Sequence, residues 1–201
     1  MGHDRPVPRL PIAVAAATAL LALSARADDL PPRDAPPYTG TYTVTKRQGI
    51  DDVWSSQTDT VTIAVFAKQS RWDYRSDGRT TLIDPIGRST VEWGGKMRPG
   101  TTRRSRLNSA PIGWEFGYAK VAEASPAPPQ RRGTSSVAGR PCMRLAFTSE
   151  VYGKPEYCVG ADCIVLRFSN TSEDADATYE ATSITPGTPD AARFTPPGST
   201  P

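Results

Sequence analysis

The segment YTGTYTVTK, residues 38–46, decides the fold class of this chain. Its threonines, at every second position from Thr39 to Thr45, fall on one face, whereas Tyr38, Tyr42 and Val44 fall on the other. This period of two in β-branched and aromatic residues is typical of a β-strand with one buried face. The sequence therefore predicts a strand at the start of the folded domain.

Short segments of the same kind follow along most of the chain. Strands are predicted over residues 60–68, 70–77, 79–84, 89–93, 136–149, 155–159, 163–169 and 177–184. The Asp77-Gly78 dipeptide is typical of a two-residue hairpin turn, and residues 114–123 are the one segment whose apolar side chains have helical spacing. Successive strands with short turns favour an antiparallel meander, in a sandwich or a barrel. We expect a mainly β protein with at most one or two short helices.

The first 27 residues have the pattern of a secretory signal peptide. Arg5 and Arg9 precede an apolar run over 12–23, and Ala25-Arg26-Ala27 has the small-x-small pattern of a cleavage site. The apolar run is about 12 residues long, shorter than the roughly 20 that cross a bilayer as a helix. We expect cleavage near Ala27 and a protein that is periplasmic or secreted.

The remainder of the chain has the size of one domain. Residues 28–37 are rich in proline and polar side chains, which predicts a disordered lead. We expect a single β-rich domain over 38–198. Exposed loops are expected near 98–111 and 124–135, where proline, glycine and arginine cluster.

Charge is distributed unevenly along the chain. The formal net charge is +3, and loss of residues 1–27 would bring it to about +1 at neutral pH, which gives no basis for a nucleic-acid partner. Basic residues nevertheless outnumber acidic ones between Lys68 and Arg106. An ordinary solvated face explains this asymmetry most simply, and peripheral contact with an anionic membrane surface is the alternative.

The chain has one histidine, His3, and it lies in the expected signal peptide. The mature protein would therefore lack the usual base of Ser-His and Cys-His sites and the commonest metal ligand. Four carboxylates remain as candidates for acid–base chemistry, and their spacing singles out none of them: Asp84, Glu92, Glu115 and Glu150. We expect no catalytic residues, no metal and no cofactor.

Three cysteines, Cys142, Cys158 and Cys163, remain in a chain that is expected to be exported, so that two can pair and one is left over. A Cys158–Cys163 bridge would span a tight hairpin around residues 160–162. A Cys142–Cys158 bridge would join two strands. The residues themselves leave both pairings open.

A series of short phrases runs in order along the chain. They are YTGTYTV (38–44), RWDY (71–74), TLID (81–84), VAGRPC (137–142), YCV (157–159), IVLR (164–167), YEATSI (179–184) and FTPPG (194–198). In this order they resemble an uncharacterised family of bacterial envelope proteins that is similar to the periplasmic carrier and sorting proteins of outer-membrane lipoproteins.

The resemblance implies a strongly curved antiparallel sheet, an unclosed half-barrel with an apolar concave face that short helices partly cover. Cys142 and Cys158 look like the cysteine pair of the family. Cys163 stands where a turn glycine is expected, which leaves it as the free thiol. In the carriers, the concave face holds the acyl chains of lipoproteins.

We therefore expect a non-catalytic, monomeric periplasmic protein that binds a lipid, an acyl chain or a lipidated partner. Four aromatic residues are predicted to line the ligand: Trp72, Tyr74, Trp93 and Trp114. The alternative is an envelope interaction or accessory protein without a small ligand, and a carboxylate-dependent hydrolase is a remote third. An open apolar cavity favours the carrier, and a filled concavity favours the interaction protein.

Overall fold

The fold is described from a computed structural model that covers residues 35–50, 53–84, 88–106, 127–148, 154–171 and 175–198. The strands are β1 (Tyr38–Ile50), β2 (Val53–Phe66), β3 (Gln69–Tyr74), β4 (Arg79–Asp84), β5 (Ser89–Gly94), β6 (Arg103–Arg106), β7 (Gln130–Val137), β8 (Arg140–Ala146), β9 (Lys154–Val159), β10 (Val165–Thr171) and β11 (Ala175–Pro186). A single 3-10 turn, Ala191–Phe194, is the helical element of the described ranges. The predicted signal peptide and the predicted helix over 114–123 lie outside the described residues.

All eleven strands form one antiparallel sheet, in the order β6-β5-β4-β3-β2-β1-β11-β10-β9-β8-β7. The sheet is a meander in which β1 and β11 pair at the centre. Strands β6 and β7 are the two edges, so the sheet is not closed. The predicted fold class, a mainly β protein with an unclosed antiparallel sheet, is confirmed.

The edge strands differ from the sequence expectation. Strand β6, Arg103–Arg106, lies within the loop expected over 98–111, and β7 begins at Gln130, within the loop expected over 124–135. An edge strand pairs on one side alone and can be polar on both faces. The amino-acid composition of β6 and β7 therefore resembles that of loops.

The strand predicted over 136–149 is divided in the structure. Strand β7 ends at Val137 and β8 starts at Arg140, with a turn at Ala138 and Gly139 between them. Both turn residues have positive φ, 50° and 71°, a conformation that reverses the chain in a two-residue hairpin. The sequence signal was weak because alanine rarely adopts this conformation.

The sheet is strongly curved. Trp72 on β3 and Tyr179 on β11 are separated by two strands, which corresponds to about 14 Å in a flat sheet. Their ring centroids are nevertheless 5.9 Å apart. Tyr42 on β1 likewise donates a hydrogen bond across β11 to the carbonyl oxygen of Val165, at 3.1 Å. The face that carries Trp72, Tyr179 and Tyr42 is therefore the concave face.

A disulfide joins Cys142 on β8 to Cys158 on β9, and Cys163 is a buried free thiol. The pairing implied by the family resemblance is therefore present. Cys163 has a φ of 68°, in the left-handed region that favours glycine. This conformation agrees with the expectation of a turn glycine at that position.

Candidate binding site on the concave face

Alternation along each strand separates an apolar concave face from a largely polar convex face. On β1, Tyr38, Tyr42 and Val44 lie on the concave side, and strand pairing extends the same face to the neighbouring strands. Concave residues of the other strands include Val61, Ile63, Val65, Trp72, Tyr74, Ile83, Leu145, Tyr157, Val159, Phe168, Tyr179 and Ala181. Charged side chains enter this face towards its margins, as Glu92 and Arg103 do at the β5–β6 edge.

Six aromatic rings cross the concave face in sequence, and we call them the aromatic row. They are Tyr74, Trp72, Tyr179, Phe168, Tyr157 and Phe147, with successive centroid distances of 6.4, 5.9, 5.9, 5.0 and 5.6 Å. Such distances are typical of rings in edge or tilted contact. The row thus runs from β3 to the end of β8 as one apolar surface.

Most of this surface is buried. Tyr42, Ile63 and Tyr157 are 0% exposed and Trp72 is 6% exposed, whereas Tyr74 and Tyr179 are partly exposed. Two cavities lined by described residues, of about 400 and 190 Å³, lie mainly among convex side chains, and Phe147 at the end of the row borders the 400 Å³ cavity. The aromatic row is therefore largely buried, and its partly exposed rings lie on β3 and β11.

The predicted lining residues are separated by the sheet. Trp72 and Tyr74 lie on the concave face as neighbours in the aromatic row. Trp93 lies on the convex face, because its neighbour Glu92 pairs with Thr81, which itself pairs with Trp72. Trp114 lies outside the described residues. A ligand on the concave face would therefore contact Trp72 and Tyr74 but not Trp93.

Sequence reasoning missed four members of the row as site residues, namely Phe147, Tyr157, Phe168 and Tyr179. Their signal is the single aromatic residue in each of the strands predicted over 136–149, 155–159, 163–169 and 177–184. A register shift between Val165 and Arg167 obscures the alternation of faces in β10.

Trp93 belongs to a small apolar cluster on the convex face. Ala64, Leu82, Val91 and Phe194 form the cluster, with Phe66 and Trp93 packed against it. The C-terminal 3-10 turn supplies Phe194 to this cluster. The guanidinium of Arg71 lies 5.5 Å from the centre of the Trp93 ring.

Asp73 on β3 binds the C-terminal 3-10 turn through Arg193. Its carboxylate accepts hydrogen bonds from Arg71 Nε at 2.8 Å, Thr80 Oγ1 at 2.8 Å and Arg193 Nη2 at 3.1 Å. Burial by itself raises the pKa of Asp73, but these hydrogen bonds and the charge of Arg71 outweigh it. The pKa therefore lies below its ordinary value of 3.8.

This carboxylate makes the stability of the protein depend on pH. Because its pKa is lower in the folded state, it stabilises the fold above pH 3.8, and that contribution is lost as the pH falls through the folded value. We expect Asp73→Asn to lower the free energy of unfolding by about 2 kcal/mol at pH 7, and by progressively less below pH 4. Urea unfolding at several pH values measures this difference, and a difference that is constant from pH 7 to pH 3 contradicts the assignment.

The candidate carboxylates for hydrolysis do not converge. Asp84 and Glu92 lie on opposite faces of the β4–β5 hairpin, and Glu92 forms ion pairs with Arg79 and Arg103. Glu115 and Glu150 lie outside the described residues. The described carboxylate candidates therefore form no acid–base pair.

Clusters of metal-ligating side chains and membrane-spanning helices are both absent from the described residues. Nowhere in these ranges do three or more His, Cys, Asp or Glu side chains gather as metal ligands would. The same ranges contain no helix with the length and apolarity needed to span a membrane.

Comparison with known proteins finds likeness in structure alone. Neither the protein-family models nor the curated proteins include a match. Among solved structures, an uncharacterised conserved protein from Thermus thermophilus superposes with a TM-score of 0.51 at 12% identity, over 80% of this chain and 84% of that one.

Two further structures are weaker matches. A LolA superfamily protein from Nitrosomonas europaea has a TM-score of 0.41 at 13% identity, over 84% of this chain and 94% of that one. The MucA/MucB complex of Pseudomonas aeruginosa has a TM-score of 0.40 at 18% identity, and the match covers 79% of this chain and 55% of that one. At 12% identity, the likeness to the Thermus thermophilus structure concerns the fold alone.

Proposed function

We propose that this protein is a non-catalytic binding protein of the bacterial periplasm that holds an acyl chain against the aromatic row. The observation that carries the proposal is the row itself, six rings in continuous contact across the concave face. Sites for apolar ligands are concave and lined by aromatic and aliphatic side chains. Each buried methylene of an acyl chain contributes about 0.8 kcal/mol.

The distribution of charge supports the same function. Ion pairs on the convex face, such as Arg144–Glu156 and Arg167–Glu180, keep these charges away from the apolar surface. Tyr74 and Tyr179 are the partly exposed members of the row, and we expect an acyl chain to make its first contacts there. The Trp72 ring, in contact with both, reports binding through its fluorescence.

A titration with a fluorescent fatty-acid probe tests the proposal. We expect Tyr179→Ala to weaken binding about tenfold, because a large apolar contact is lost at the centre of the row. Trp54→Ala is the matched control, since Trp54 is an aromatic residue on the convex face of β2 with 44% exposure. It is expected to bind the probe as the parent protein does.

Organic extraction of the purified protein followed by mass spectrometry provides a second measurement. Acyl lipid in the extract agrees with the proposal. Absence of extractable lipid, together with no change in the tryptophan fluorescence of the protein on addition of the probe, contradicts it. Thermal unfolding of both variants separates a loss of binding from a loss of folding.

A protein partner is the second candidate, and the edge strand β7 favours it. This strand has eight residues, most of them exposed, and among the described strands it pairs with β8 alone. An exposed edge offers backbone hydrogen bonds to an added strand. This candidate predicts a protein that purifies without lipid and does not bind the acyl probe.

A further inference from the structure

The edge strand β6 and the turns beside it carry a concentration of positive charge, which we call the basic strip. It consists of six exposed cations, Arg88, Lys96, Arg98, Arg103, Arg104 and Arg106. Three of the four residues of β6 are arginine. The strip therefore occupies one whole edge of the sheet.

Strand pairing places these cations along one edge of the sheet, with Arg103 on its concave side and Arg104 and Arg106 on its convex side. Arg106 lies opposite Ser89, beside Arg88, and Arg103 lies opposite Glu92. Lys96 and Arg98 follow β5 in the turn that leads back towards Arg103. The strand itself is about 13 Å long, so the cations extend from one end of the edge to the other.

Few acidic groups neutralise the strip. Glu92, with a side-chain exposure of 17%, forms ion pairs with Arg103 and with Arg79. The other five cations of the strip form no ion pair with any described residue. The edge thus presents five exposed positive charges without a carboxylate partner among the described residues.

We infer that the basic strip docks the protein on the anionic phospholipid surface of a membrane. Guanidinium groups bind phosphate through paired hydrogen bonds, and a row of them matches a surface of many phosphates. A protein strand fits this edge poorly, because four residues give few backbone bonds and edge charges oppose pairing. This inference goes beyond the proposed function, since docking does not require the aromatic row.

Co-sedimentation with vesicles tests the inference. We expect binding to vesicles of phosphatidylcholine and phosphatidylglycerol at low ionic strength, no binding to pure phosphatidylcholine, and release at high salt. Each cation near such a surface strengthens binding about fivefold. The triple variant Arg98→Gln, Arg104→Gln and Arg106→Gln is therefore expected to bind about a hundredfold more weakly.

A matched control variant removes three positive charges, the same number, from positions outside the basic strip. The triple variant Arg75→Gln, Arg132→Gln and Lys154→Gln alters three exposed cations outside the strip, and we expect it to bind the vesicles nearly as the parent does. Equal losses in the two triple variants overturn the inference. So does binding to polyglutamate without binding to the anionic vesicles, which indicates an acidic protein partner instead.

Measuring both vesicle binding and probe binding for Tyr179→Ala and for the strip triple variant separates this test from that of the proposed function. That variant is expected to bind anionic vesicles normally, whereas the strip variant is expected to bind the acyl probe normally. Failure of the vesicle arm therefore leaves the acyl-binding proposal standing, and failure of the probe arm leaves the docking inference standing.

Discussion

Replacing both Cys142 and Cys158 with alanine is expected to lower the free energy of unfolding by about 3 kcal/mol. The bridge closes a loop with a sequence separation of 16, and in the chain-entropy model such a closure restricts the unfolded chain. It also joins neighbouring strands near the β7 end of the sheet. Urea unfolding of the parent and the double variant measures the difference.

Thiol titration provides the control for this experiment. Unfolded, unreduced protein is expected to expose one thiol, that of Cys163, and Cys163→Ala is expected to expose none while it keeps the bridge. Three thiols in the parent protein contradict the disulfide. A double variant as stable as the parent shows that the bridge does not contribute to stability.

Replacing Phe194 with alanine is expected to lower the free energy of unfolding by about 3 kcal/mol, the usual cost of removing a buried phenyl ring. Phe194 is 9% exposed, and its ring lies 5.8 Å from that of Phe66. The loss opens the convex cluster between the C-terminal segment and strands β2, β4 and β5. Thermal or urea unfolding measures the change.

Trp54→Ala is the matched control for Phe194→Ala. It removes a larger ring from the same face of the sheet, but that ring is 44% exposed, so we expect a change within about 0.5 kcal/mol. Combining Phe194→Ala with Asp73→Asn is expected to cost less than the sum of the two, because both residues anchor one segment. Equal effects of Phe194→Ala and Trp54→Ala contradict a specific anchoring role.

The anchoring role rests on contacts that join distant parts of the chain. Arg71 donates a hydrogen bond to the carbonyl oxygen of Arg193 at 2.6 Å, and Arg193 reaches back to Asp73. The cluster and this network hold the C-terminal turn on the convex side of β3. The concave side of β3 remains available to the aromatic row.

The central strands were predictable because one face of each is buried and the other is more exposed to solvent. The alternation over 38–46 corresponds to β1. A hairpin joins β3 to β4 as expected, but residues 75–78 form its loop, in place of the two-residue turn predicted at Asp77-Gly78. Edge strands lack this contrast, since β6 is exposed on both faces. Their composition therefore pointed to loops.

The candidate site was predictable only in part. Trp72 and Tyr74 share a strand face by their spacing alone, and they do lie together in the structure. Trp93 was grouped with them, but its face depends on how β4 and β5 pair. The register of strands that are joined by a turn of uncertain length does not follow from alternation within each strand.

Local alternation and turn residues thus determine that this chain forms a mainly β protein. Within each strand, the apolar residues at every second position mark the face that is buried. The tertiary structure decides which of those faces becomes concave. Sheet curvature brings Trp72 to within 5.9 Å of Tyr179 across two intervening strands. Contacts between residues so far apart in sequence depend on the register and twist of every strand between them. No single sequence segment specifies that register and twist.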